Sequence, residues 1–157
     1  MILDKQNLCS DNQSAIAATG TYVSTNSIDL WGGASAQPTD TLGNTVLSDP
    51  GRAGKVRLFM MVNTTCVGAT ATVIMRLITA TDAALTAGIV IHRITDTIPV
   101  ASLVAGYYFR IGPDIPFGIP STGRYLGFQW TIGTAALSAG AFTGGIAVDQ
   151  QTNPFVG

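Results

Sequence analysis

Short strand-like segments follow one another with no helical period between them, and this restricts the fold more than any other feature of the chain. "TATVIMRLITA" (70–80) sets Val73, Met75 and Leu77 on one face and Thr72, Ile74, Arg76 and Ile78 on the other, the period-2 pattern of a half-buried strand. "KVRLFMMV" (55–62) sets Lys55, Arg57 and Phe59 against Val56, Leu58, Met60 and Val62. "TYVSTNSIDLW", "IVIHRIT" (89–95), "YYFRI" (107–111), "RYLGFQWTI" (124–132) and "GGIAV" (144–148) extend the series. Gly, Pro and Asp clusters separate these runs at intervals of roughly 8–16 residues, the rhythm of an antiparallel sandwich or barrel. A βαβ fold would need helical stretches between strands, and the chain has only "PVASLVAGY" (99–107), enough for one helical turn closed by Gly106. The expected fold is therefore all-β: an antiparallel two-sheet jelly-roll sandwich, with an immunoglobulin-like sandwich as the alternative.

The surface chemistry fits a sheet. Every acidic residue is an Asp, there is no Glu, and only two Lys occur, whereas Thr is abundant. Glu and Lys favour exposed helix faces and Thr favours strands. Residues 1–20 are polar and uneven and read as a short N-terminal arm; residues 21–157 read as one sandwich domain. Within that domain, ahead of the main run of strands, lies "GGASAQPTDTLGNTVLSDPGRAG" (32–54), a polar loop whose clearest turn is Asp49-Pro50-Gly51.

Charge excludes several functions. The net charge of −1 and the lack of any basic run argue against nucleic-acid binding. Asp4 and Lys5 interrupt the apolar start of the chain, so no signal peptide is expected, and glycines break the uncharged stretch 132–148, so no membrane span is expected. Only 11% of residues are charged, against about 25% in ordinary soluble domains. Such a surface is poorly defended against association and suits one that partners cover.

Groups able to do covalent chemistry are few. His92 is the single histidine and lies between Ile91 and Arg93, where a half-buried, hydrogen-bonded ring is expected. Cys9 and Cys66 are read as free thiols with no companions for a zinc site, and the nine Asp are scattered singly, so no cofactor and no metal are expected. No nucleophile elbow exists, and "GAFTGG" lacks the Lys and following helix of a phosphate loop, leaving its glycines as strand-and-turn positions. Phe128 and Trp130 share one face of their strand and Tyr125 the other, which puts most rings in the core and not on a sugar-stacking platform. No enzyme is expected.

The segments "MILDKQN…STNSIDLW", "IPVASLVAGYYFRIG", "GRYLGFQW" and "LSAGAFTGGIAVD", spread over nearly the whole chain, resemble the cement or decoration proteins of tailed bacteriophage heads, in particular the Bordetella-phage-type cement family of short-tailed phages. The resemblance implies a jelly-roll virion protein, made in the bacterial host and bound to the outer capsid surface. Its implied partners are the major capsid protein, whose neighbouring subunits it bridges, and further copies of itself, a dimer before a trimer. A receptor- or carbohydrate-binding jelly roll of a phage spike or fibre is the alternative. Candidate contacts are Ile2, Leu3, Lys5 and Leu8 in the arm, with Trp31 and Arg52 at the ends of the polar loop. The arm's apolar residues precede the first clear strand, where a free chain end would fray unless something held it.

Overall fold

Strands form wherever the alternation is clean. A computed structural model describes residues 8–30, 42, 56–110 and 123–148. In chain order the strands are β1 (Leu8–Ser14), β2 (Gly20–Val23), β3 (Ile28–Asp29), β4 (Val56–Val67), β5 (Thr72–Ala80), β6 (Val90–Ile94), β7 (Ile98–Pro99), β8 (Tyr125–Gly133) and β9 (Ala139–Val148), with one 3-10 turn at Val100–Ser102. Val73, Met75 and Leu77 of β5 point inward and are fully buried, as are Met60 and Val62 of β4. Both strands are rich in β-branched and unbranched apolar side chains that fit a pleated surface buried on one face.

The strands make two antiparallel sheets. The smaller has the order β1-β9-β4, and the larger β2-β8-β5-β6, with β3 also on β8 and β7 also on β5. Residues 107–109 extend the small sheet past β4: the Val62 N–H donates to the Tyr107 carbonyl and the Phe109 N–H to the Met60 carbonyl, both at 2.9 Å. The first strand thus pairs with the last, and the second lies in the opposite sheet against the next-to-last. That interleaving is the jelly roll. An immunoglobulin-like sandwich would pair its first two strands in one sheet, so the alternative topology is not the one adopted.

The core lies between the sheets. Leu58, Met60, Val62, Phe142 and Ile146 of the small sheet meet Val73, Met75, Leu77, Phe128, Trp130 and Ile132 of the large one. Phe142 sits at its centre, edge-on to Phe109 at 5.5 Å between ring centroids and to Trp130 at 5.4 Å. The large sheet also carries a smaller apolar cluster, Ile78, Ala80 and Leu85, on its outer face, with Val23 and Tyr125 against it. Residues 81–89 fold over this face and bring Leu85 down at φ +58°. A non-glycine residue there is strained. Asp82 offsets the strain by accepting bonds from the Ala87 N–H at 2.7 Å and the Thr86 N–H at 2.9 Å.

Three sequence expectations are corrected. The arm drawn over residues 1–20 is, from Leu8 onward, part of the sandwich. β1 pairs with β9, Cys9 is fully buried in the core, and the Ser10 hydroxyl donates to the Phe142 carbonyl at 2.9 Å. The glycines of "GAFTGG", read as strand-and-turn positions, include no turn: Gly140, Gly144 and Gly145 all lie within β9, flanked by β1 and β4. A Cβ on Gly144 would overlap the Met60 sulfur, so the small residue makes room for a core side chain. Of "YYFRI", Tyr107–Phe109 run along β4 with one bridge, Met61 to Tyr108, and form no named strand among the described residues, while Ile111 lies outside them. The turn expected over 99–107 forms as the short 3-10 turn, and Gly106 takes φ +89°. The loop 32–54 and its Asp49-Pro50-Gly51 turn lie outside the described residues, apart from Leu42.

Candidate interaction surfaces

The reactive side chains are made quiet by their surroundings. His92 is half-buried, and its Nε2 shares a 2.8 Å hydrogen bond with the Thr79 hydroxyl, which also accepts from the Gly123 N–H at 3.0 Å. A neutral ring can accept the hydroxyl proton at Nε2 or donate from it, so this bond suits a neutral ring in either tautomer. Desolvation by burial and then the neighbouring Arg93 charge lower the His92 pKa, favouring the same form. Burial pushes the Cys9 thiol up to about 12 and the Cys66 thiol up to about 11, so neither offers a thiolate near neutral pH. Among the described residues no group of three or more His, Cys, Asp or Glu is arranged to hold a metal ion.

Polar side chains of the outer surface mostly tie strands together. Arg124 donates to Asp29 through Nε at 2.9 Å and Nη2 at 2.8 Å, a two-point ion pair across β3 and β8. Arg76 donates to the Thr131 hydroxyl at 2.6 Å and to Gln129 Oε1 at 3.3 Å, and Thr131 in turn bonds Thr21 at 3.0 Å. This row crosses β5, β8 and β2 and staples the large sheet from outside.

Two sides of the sandwich differ. On one, residues 15–19 cross between the sheets and are stitched down: the Ala15 N–H donates to the Gly140 carbonyl, and the Leu137 N–H to the Ala17 carbonyl. Gln13 Nε2 reaches the Val23 carbonyl at 3.0 Å. An open cleft of about 470 Å³ lies here, bordered by Gln13, Ile16, Tyr22, Gln129 and Trp130. On the other side the sheets end in β6 and in residues 107–109, and a smaller cleft of about 230 Å³ opens between Ile94, Asp96, Ile98, Tyr107 and Arg110. Ile89, Ile91, Ile94, Val104 and Tyr108, all exposed, belong to this second side.

The site residues expected from sequence fare unevenly. Leu8 is buried against Phe59 and Ala147 on the outer face of the small sheet, so it serves its own chain's packing and is not an exposed contact. Its apolar side chain is held by β1–β9 pairing, which the polar sequence around it conceals. Ile2, Leu3, Lys5, Trp31 and Arg52 lie outside the described residues. The β6 side was not among the expectations: "IVIHRI" signals a strand, but nothing local says that the strand ends a sheet. Among the described aromatics, Phe109, Phe128, Trp130 and Phe142 are core, and Tyr108 is the exposed one.

Compared with known protein families, residues 10–146 match the model of the family described as Bbp16. No curated protein matches the chain.

Proposed function

The chain belongs to the Bbp16 family, which bears the name of a Bordetella phage protein, and from this premise we propose that it is a structural virion protein that binds the outside of a tailed-phage head and cements neighbouring major capsid subunits. The carrying observation is the family match over nearly all of the jelly roll, and the quiet chemistry of the described residues supports it. A cement protein needs no active site. It needs a stiff scaffold and a surface that is cheap to cover.

Both properties have a physical basis here. The two sheets share one contiguous aromatic and aliphatic core, and outer-face staples hold strand to strand. With 11% charged residues, the surface loses little solvation when a partner covers it, while Thr, Asn and backbone groups can pair across a wet interface. Repetition over a symmetric shell multiplies weak contacts into strong cohesion. On this reading the protein acts as a homo-oligomer, a dimer before a trimer, and carries out no covalent reaction.

Thermal rupture of particles tests the proposal. Heads fully occupied by the protein should release their contents at a higher temperature than heads lacking it, and purified protein should cosediment with bare heads. Equal rupture temperatures at full occupancy would refute cementing.

A further inference from the structure

Among the described residues, the large sheet ends in an unpaired edge. β6 is the last strand of its sheet, and none of the described residues pairs with its outer edge, leaving a row of alternate N–H and C=O groups available for a further strand. Natural edges are usually blunted by charge, Pro, bulges or cover. β6 carries one bulge and one charge, Arg93, yet still exposes Ile91 by 52% and Ile94 by 58%.

A bulge produces this arrangement. β6 pairs with β5 as Ile78 with Ile91 and as Leu77 with Arg93, so His92 is the extra residue, and its ring bonds Thr79. The pairing then continues as Arg76 with Ile94. Without the bulge, residues three apart would point to opposite faces. With it, Ile91 and Ile94 both stand on the outer face, opposite Ile78 and Arg76. The bulge therefore converts a strand of mixed faces into a short aliphatic ridge on an open edge.

Charge identifies the occupant. Among the described residues, exposed Arg93 bonds the carbonyl of its neighbour His92 and makes no ion pair, and Arg110 lines the cleft at the end of the edge together with Asp96. β6 itself has no acidic residue. Were β6 to pair with a second copy of itself about its midpoint, His92, the two Arg93 side chains would lie diagonally on one face, roughly 7–8 Å apart, with no carboxylate in either strand to offset them. A chain of apolar residues alternating with acidic ones meets the same edge without conflict.

We propose that β6, from Val90 to Ile94, receives an extended segment of a partner protein by strand addition, with apolar side chains against Ile91 and Ile94 and acidic ones toward Arg93 and Arg110. This rests on the cementing role above, which makes the partner the shell protein.

Cosedimentation with empty heads, combined with hydrogen–deuterium exchange, tests it. The Ile91→Asp/Ile94→Asp double variant and Arg93→Glu should each bind heads about tenfold or more weakly, whereas Ile16→Asp, on the stitched side and 61% exposed, should bind like the parent. All four altered positions are exposed, so the parent melting temperature should be kept, and a variant that loses it is set aside in favour of the exchange data. In the unaltered protein, amides of Val90–Ile94 should gain protection only when heads are added. If the parent binds and the β6 variants bind within about twofold of it, strand addition is wrong and cementing stands. Protection of β6 that rises with concentration in the free protein would assign the edge to a second copy and overturn the proposal. A parent that does not bind heads removes the cementing role and this inference with it.

Discussion

Replacing Phe142 by Ala should cost the fold more than any comparable change on the surface. Phe142 is fully buried at the middle of β9, the strand that holds β1 and β4 together, and its ring is the shared partner of Phe109 and Trp130. Truncating a buried Phe removes its transfer free energy and leaves a cavity, together about 3–5 kcal/mol. Each lost edge-to-face pair is worth about 0.5–1.5 kcal/mol beyond burial, which places the expected loss toward the upper half of that range, about 4 kcal/mol. Collapse of the site is resisted from both sheets, since Met60, Phe128 and Trp130 are themselves fixed in the core.

That loss can be read as a melting shift. At about 2.1 cal/mol/K per residue, a chain of 157 residues has a melting entropy of roughly 0.33 kcal/mol/K, so about 4 kcal/mol lowers the Tm by about 12 °C. Scanning calorimetry of the free protein measures it, with Tyr108→Ala as the control, because that ring is 43% exposed and should move the Tm by no more than about 3 °C. A Phe142→Ala protein that melts within about 3 °C of the parent would refute the placement of this ring at the centre of one shared core.

Gly123→Ala should unfold the start of β8 or abolish expression, because its Cβ would collide with the backbone of Ala80, which cannot move aside as a side chain can; a soluble variant with parental Tm would contradict this approach of β5 and β8. Cys9 and Cys66 should react with a thiol reagent at pH 8 only on unfolding, since burial raises both pKa values; the raised values also mean that this contribution to stability, complete below about pH 9, falls as pH rises toward the folded values, and rapid labelling of Cys9 in the native protein would sink the assignment. Asp82 should titrate below the usual carboxylate range, chiefly because the Ala87 N–H and then the Thr86 hydroxyl bond its ionised form. Its contribution to the 81–89 loop is thus present above the ordinary carboxylate pKa of about 3.9 and lost as pH falls through the lower folded value, which an NMR titration of its carboxyl carbon would reveal.

What the sequence revealed tracks how local each signal is. β5 and β8 are legible because one face of each is apolar, and Val73, Met75, Leu77, Phe128 and Trp130 all fall in the core as their alternation requires. β1 is not, because "LCSDNQS" has no alternation to read. Its place comes from backbone pairing with β9 and from bonds such as the Asn12 N–H to the Thr143 hydroxyl, partners 131 residues apart. "GAFTGG" misleads for a related reason. A strand with neighbours on both edges and buried on both faces needs small residues, and small residues are also what turns are made of. The Bbp16 match spans both kinds of segment, so the likeness was carried by the whole pattern and not by any reactive motif.

The contrast between the two sides of the sandwich gives the quiet chemistry a purpose. A jelly roll has four edge strands, and exposed edges invite association. On the side of β1 and β2 the chain spends its own hydrogen bonds: Asn26 N–H to the Cys9 carbonyl, Gln13 to Val23, and residues 15–17 to Gly140 and Leu137. On the side of β6 it makes no such closure among the described residues. It places a bulge that turns two isoleucines outward and leaves Arg93 without an ion pair among the described residues. Closing one side while opening the other is costly to solubility, since the open side is an aggregation hazard in the free protein. Such a cost is sustained where a partner covers the open edge for most of the protein's life, as assembly on a shell would provide. Under the proposed cementing role, scarce reactive side chains are what a covered surface would be expected to show: it would gain from shape, backbone pairing and a few charges, and a nucleophile or metal ligand there would add nothing to cohesion.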